Sequence, residues 1–393
     1  MSAAAPLPPL TPEQAAHSAQ LVDRIRDEID AQQGWISFER FMELALYEPG
    51  LGYYSAGAMK FGAAGDFVTA PEISPLFSRC LARQCNEVFA QLGEADILEL
   101  GAGSGVMAAD VLTELQSLGS LPRNYFILEV SADLRERQKQ RIAELAPDLV
   151  SRVQWLDAWP SGFRGVVLAN EVLDAFPVQR FRIRKEQVNA VGVTWQLGQL
   201  DWSETVADET LTRAVRTIES ELGAPLPDGY GSEINMRLAP WMRELAAAME
   251  QGVALFIDYG LPRRQYYRPD RGEGTLLCHY RHRFHDDPLI NVGVQDIGAW
   301  VDFTAVAEAA VAAELDVIGF TTQAHFLIGN GIDELLAALQ NETRLTARVQ
   351  LARQTMLLTL PGEMGERFKV IGLGKNYPHS LKGFSIRDLA AGL

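Results

Sequence analysis

The stretch from Asp96 to Gly105, DILELGAGSG, constrains this 393-residue chain more than any other. Ile97, Leu98 and Leu100 form a short apolar run carrying one acid, Glu99, and Gly101, Gly103 and Gly105 follow at once. An apolar run of this length reads as a buried parallel strand, and the closely spaced glycines free the backbone for a tight turn. Val106, Ala109, Val111, Leu112 and Leu115 then recur at helical spacing. Strand, glycine turn and helix in that order open a nucleotide-type α/β fold.

The dinucleotide fingerprint places a third glycine where this chain has Val106, and a P-loop needs a lysine after its last glycine, which is absent. Glu99, just before the first glycine, would repel a pyrophosphate. It suits the sulfonium and ammonium of S-adenosylmethionine (SAM), whose carboxylate the amides of Gly101, Ala102, Gly103 and Gly105 can still take. The loop on its own leaves three readings open: SAM, another nucleotide, or a tight turn with no ligand.

The runs that follow extend the same pattern. Glu129 ends the apolar run Tyr125–Val130, where an acid can accept both ribose hydroxyls. Trp155 and Asp157, in the third short strand 152–157, are available to the adenine ring and its amino group, with a core aromatic as the other reading of Trp155. A fourth strand, 165–169, delivers Asn170 and Glu171. Ligands of open parallel sheets sit beyond the carboxyl ends of the strands, which brings this pair beside the reacting group; a plain cap for the following helix is the alternative.

Around this core the chain carries additions. Two helices are expected near the N-terminus, one capped by Thr11 and one by Ser37 and stopped at Pro49-Gly50. They read as a cap or as a plain extension. The segment GLGYYSAGAMKFGAAGDFVTAPEISPLF mixes glycine with aromatics, which suggests an ordered loop able to close over a ligand through Asp66 and Glu72. Residues 178–184 and 188–197 alternate as an antiparallel hairpin. The stretch 200–231 reads as acidic loop, 232–235 as the start of a helix, 252–259 as a fifth parallel strand, 296–310 as a helix capped by Asp296, and 332–356 as one helix. The expected divisions are an N-terminal extension and cap loop over 1–90, core over 91–177, an inserted subdomain over 178–235, and the rest of the core over 236–393.

The formal net charge of −16 argues against a nucleic-acid binder, because phosphate contacts need a basic face, and favours a basic protein segment as partner. Cys80, Cys85 and Cys278 are too few and too irregular for a disulfide framework or a zinc site. His279, His282 and His285 would alternate faces on a strand, so no metal is expected there. His279 remains open as a substrate-facing, hydrogen-bonding or structural residue. The N-terminal MSAAAPLPPLTPEQ has no basic n-region and no Arg-rich transit pattern, and no segment reaches the roughly 18 apolar residues of a membrane span. A cytoplasmic protein without membrane insertion is expected.

The runs FMELALYEPGLGYYS, GDFVTAPEISPLF, ELGAGSG, NEVLDAFPV, IDYG, GTLLCHYRHR and HDDPLINVGVQDI occur in that order. In this the chain resembles the MidA-like SAM-dependent methyltransferases, over nearly all its length after about residue 20. The resemblance implies a class I, Rossmann-like α/β sheet of seven strands, with an N-terminal helical extension and an inserted antiparallel subdomain. It implies SAM as cofactor and a methyl acceptor on a protein, since mitochondrial members serve as assembly factors for respiratory complex I and the eukaryotic member methylates arginine on a complex I subunit. Glu171 then resembles the first of the paired glutamates of arginine methyltransferases. Asn170 stands where those enzymes often have Ser, and no second Glu follows, only Asp174. Glu171 and Asn170 become the expected catalytic residues, with His279 as proton acceptor. The alternatives are a methyltransferase for another nucleophile and an assembly chaperone whose SAM pocket is vestigial; a homodimer is left open.

Overall fold

The computed structural model describes residues 7–56, 68–342 and 345–393. They fall in two compact units, one drawn from Met1–Phe67, Asp174–Arg237 and Arg263–Trp300, the other from Val68–Leu173, Leu238–Pro262 and Val301–Leu393.

The second unit is built on one sheet. Its strands are β1 (Asp96–Leu100), β2 (Tyr125–Leu128), β3 (Val153–Leu156), β4 (Phe163–Asn170), β5 (Met249–Leu261), β6 (Asp316–Thr322) and β7 (Phe368–Lys375), and the spatial order is β6-β7-β5-β4-β1-β2-β3. The strands from β5 to β3 pair in parallel, whereas β7 runs antiparallel to both β5 and β6. This is the seven-stranded α/β sheet expected, with an eighth, two-residue strand, Val301–Asp302, beside the end of β5. Every residue of β1 is buried, because helices cover both faces of the sheet. Ile97, Val166, Leu168, Val253 and Leu255 form a continuous core with Leu81 and Cys85 of helix Pro75–Leu92 and Val111 and Leu112 of helix Val106–Ser117.

The first unit gathers three distant stretches of chain. Helices Pro12–Ala31 and Phe38–Tyr47 start where expected, with a capping box between Thr11 and Gln14 and a Ser37 cap on Arg40 N. Strands Ile36–Ser37, Gln179–Arg184, Gln187–Gln196, Gln199–Val206 and Gly231–Ile234 make an antiparallel sheet that includes the expected hairpin. Leu277–Tyr280, Arg283–His285 and Asp296–Gly298 make a smaller one. Leu21, Ile25, Phe38, Phe41 and Met42 pack with Val178, Val193, Cys278 and Ile297 in one core.

Three local expectations are corrected. The acidic stretch 200–231 is not a loop: it contributes strand Gln199–Val206 and helix Glu209–Leu222, whose buried Leu211, Val215 and Ile218 form a narrow stripe under a charged surface. Residues 232–235 do not start a helix, since Gly231–Ile234 pairs with Gln179–Arg184 and buried Glu233 meets Arg180 at 3.3 Å; the helix begins at Leu238. Asp296 lies in a strand, and Asp302 instead caps helix Phe303–Ala312 by accepting from Thr304 N and Ala305 N. The segment expected as one helix over 332–356 is described as helical over Ile332–Glu342 and Leu345–Thr359, and 343–344 lie outside the described residues.

The centre of the large sheet leaves no space for side chains at two points. A Cβ on Gly165 of β4 would fall 1.9 Å from the Asp96 carbonyl oxygen of β1, and one on Gly252 of β5 would fall 1.9 Å from the Gly165 carbonyl oxygen. These are backbone atoms locked in strand pairing, so neither neighbour can yield. Gly165→Ala is expected to lower unfolding free energy by about 3 kcal/mol or more, measured by urea denaturation; an unchanged midpoint would show that the strands can part locally.

Candidate cofactor and transfer site

The turn after β1 is left-handed at Gly101 (φ 63°), Gly103 (φ 52°) and Gly105 (φ 84°), as three glycines after a strand lead one to expect. Ala102 is buried beneath it, Gly101 is exposed, and a Cβ on Gly103 would meet nothing within 4 Å among the described residues. Gly105 is needed for packing: its Cβ would lie 3.2 Å from the Gln138 Cα of helix Ala132–Leu145. Ser104 hydrogen-bonds through Oγ to the Glu72 carboxylate, which ties the short helix Ala70–Ile73 to the turn.

Glu129 follows β2 and is partly buried. Its Oε1 accepts from Ser131 N at 2.9 Å and its Oε2 from Gln138 Nε2 at 3.3 Å. Burial raises its pKa against those two donors. Gln138, fully buried, also donates to the Gly103 carbonyl at 3.1 Å and accepts from Trp155 Nε1 at 2.8 Å. The Trp155 ring packs against the core of this unit. Exposed Asp157 pairs with Arg135, which in turn donates to the carbonyls of Glu129 and Leu156. Glu99 lies within the sheet, 1% exposed, with its Oε2 accepting from Tyr125 Oη at 2.6 Å.

The turn after β4 is the second element. Glu171 takes a left-handed conformation (φ 53°) that costs a non-glycine residue about 1 kcal/mol or more. Its amide donates to Ile257 O at 2.9 Å, and the next two amides, of Val172 and Leu173, converge on Asp258 Oδ2 at 3.2 and 2.9 Å. Asp258 is 1% exposed at the end region of β5. Asn170 donates from Nδ2 to Glu171 Oε1 at 3.2 Å, while its buried Oδ1 has no partner among the described residues. The two turns adjoin, since a Cβ on Gly101 would come 3.0 Å from Val172 Cγ2.

Gly101, Ala102, Gly103, Gly105, Glu129, Trp155, Glu72, Asn170 and Glu171 are therefore linked through a few contacts, with Asp157 tied in by Arg135. Glu99 instead sits inside the sheet. His279 belongs to the other unit, on strand Leu277–Tyr280, and burial pushes its imidazole down to about 4, which keeps it neutral. Asp66 lies outside the described residues. Gln138 and Asp258 were missed by sequence reasoning. Gln138 did leave a signal: Leu134, Gln138 and Ile142 recur at four-residue spacing, so a glutamine occupies the inward stripe of a polar helix. The donor set fits a nucleoside with an amino-acid tail, with a carboxylate for hydroxyls, open turn amides for a carboxylate, and an orphaned carbonyl oxygen and a glutamate beside them.

Comparison with known proteins agrees with this geometry. Residues 80–321 match the family model for S-adenosyl-L-methionine-dependent methyltransferases. A Burkholderia thailandensis protein crystallised with S-adenosyl-homocysteine is 39% identical, with a TM-score of 0.93 over 99% of this chain and 100% of that one. The Drosophila melanogaster homolog of the mitochondrial protein arginine methyltransferase NDUFAF7 is 30% identical over 86% of this chain and 82% of its own length, and human NDUFAF7 is 27% identical over 86% and 80%. The chain belongs to the S-adenosyl-L-methionine-dependent methyltransferase family. It is an enzyme of the transferase class with SAM as its cofactor.

Burial raises the Glu99 carboxyl from 4.5 to about 7, against the Tyr125 hydrogen bond. A raised folded pKa means that the protonated acid's contribution to stability is complete below about pH 4.5 and is lost as pH rises through about 7. Glu99→Gln, neutral throughout, should therefore gain roughly 2 kcal/mol on the ligand-free wild type between pH 5 and pH 8 in urea denaturation. A constant difference across that interval would mean that Glu99 is ionised in the fold.

Proposed function

We propose that this enzyme methylates an arginine side chain in a basic segment of a protein partner, with Glu171 holding the guanidinium. The observation that carries this reading is the Glu171 turn: a glutamate kept in a strained backbone conformation by Ile257 and Asp258, beside the cofactor turn and next to an orphaned Asn170 oxygen. Strain of this kind persists where the surrounding structure over-determines it, and it concentrates at functional sites. The relatives named protein arginine methyltransferases and the formal charge of −16 support the same acceptor. The resemblance to the MidA-like family makes a respiratory complex I subunit the first partner to test.

Bound SAM supplies a methyl group on a sulfonium, open to in-line displacement. Glu129 would accept the ribose hydroxyls through the free lone pairs of its two oxygens, and turn amides before Gly105, whose own amide donates to Ala102 O at 2.8 Å, would take the cofactor's carboxylate. A guanidinium is a poor nucleophile because its charge is delocalised and its pKa exceeds about 12. The Glu171 carboxylate would bind two of its nitrogens, draw the positive charge toward them and leave the third to attack. Orientation of this kind supplies roughly 7 to 11 kcal/mol in well-aligned systems. The methylated nitrogen then releases its extra proton to solvent.

Methyl-labelled SAM added to lysate from cells lacking this protein tests the proposal. Wild type should label a protein whose hydrolysate contains methylarginine. Glu171→Gln should label it about 100-fold less while still binding S-adenosyl-homocysteine. Label on another amino acid would overturn the arginine assignment, and full labelling by the variant would remove Glu171 from the site.

A further inference from the structure

Glu129 is held from both sides by groups of different kinds. On Oε1 the donor is the Ser131 backbone amide, fixed at the start of helix Ala132–Leu145. On Oε2 it is the carboxamide of Gln138, two turns along the same helix. The orientation of that carboxamide follows from chemistry. An indole N–H can only donate, so the Gln138 atom facing Trp155 Nε1 must be the oxygen. The amino group is then turned toward Gly103 O and Glu129 Oε2, and its two hydrogens match these two acceptors. Gln138 is 0% exposed and makes a bond at both ends of its carboxamide. Its backbone is pressed against Gly105, with 3.2 Å from Gln138 Cα to where a Cβ on that glycine would stand.

We propose that Gln138 is a positioning residue for the cofactor: it locks the Glu129 carboxylate to the glycine turn and so sets the spacing between the ribose and the amino-acid ends of the SAM site. The inference rests on Glu129 as the ribose acid. The bond to the carboxylate is buried, so its loss leaves Glu129 held by the Ser131 amide alone and able to turn away from the hydroxyls. Trp155 acts one step further out, by fixing which way the carboxamide faces. Affinity for the nucleoside should therefore depend on a side chain that never touches it, and the dependence should run through Glu129.

Calorimetry of S-adenosyl-homocysteine binding tests this with Gln138→Met, Glu129→Gln and the double variant, alongside thermal melting of each ligand-free protein. Gln138→Met keeps the side-chain volume and removes all three hydrogen bonds. It should weaken binding about tenfold in the wild-type background and less than about threefold when Glu129 is already Gln, with the loss appearing in KM for SAM rather than in kcat. An equal loss in both backgrounds, or no loss with Glu129 intact, would overturn the proposal. If Glu129→Gln itself leaves affinity unchanged, the ribose assignment fails instead. Should Gln138→Met melt too low for titration, Gln138→Glu keeps the shape and the acceptor for Trp155 while setting a carboxylate against Glu129. It should weaken binding at least as much, and wild-type affinity in this variant would equally overturn the inference.

Discussion

The register of four parallel strands is the constraint on which the site depends. Leu100 stands opposite both Leu128 and Ala169, and Asn170 stands opposite Ile257. Gly101, Glu129 and Glu171 therefore leave the sheet side by side at its carboxyl edge, level with Asp258, which continues in β5. Parallel strands keep this alignment only if no side chain intrudes between them, and Gly165 and Gly252 meet that condition where a Cβ would fall on the neighbouring strand's carbonyl oxygen. A shift by one residue would turn each of these groups to the opposite face.

Given that edge, the polar groups are fixed by mutual satisfaction. Asp258 accepts two amides of the Glu171 turn, and Gln138 joins Glu129, Gly103 and Trp155. Each is buried, so leaving its partners unmade would cost on the order of 1–3 kcal/mol per group. Those penalties are what hold a strained glutamate and a partly desolvated carboxylate in place. The site is accordingly a property of the sheet edge and of one flanking helix, with its reactive groups carried on short turns of restricted freedom.

Much of this was legible in the chain itself. The apolar runs that became β1, β2, β4 and β5 are buried on both faces and so leave continuous apolar stretches, and the glycine turn requires conformations that other residues resist. Glu129, Asn170 and Glu171 could be placed because they end such runs. The helix Glu209–Leu222 was overlooked although its buried apolar residues, Leu211, Val215 and Ile218, keep clear helical spacing, because the many charges between them read as solvated chain. Strand Gly231–Ile234 was hidden for another reason: its buried Ser232 and Glu233 are polar, and the burial of Glu233 is supported by Arg180 and Thr275, far away in sequence.

The sequence by itself determined the sheet, the glycine turn and the acids at the strand ends, because each rests on local spacing or on the backbone freedom of single residues. The tertiary structure alone decided that Gln138 and Asp258 hold those acids and their turn, that Glu99 lies inside the sheet against Tyr125, and that the N-terminal helices share a core with the hairpin inserted after β4. These facts depend on which buried polar or apolar groups meet across long stretches of chain. Such meetings follow from packing and from the cost of unsatisfied burial, neither of which has a signature at short range.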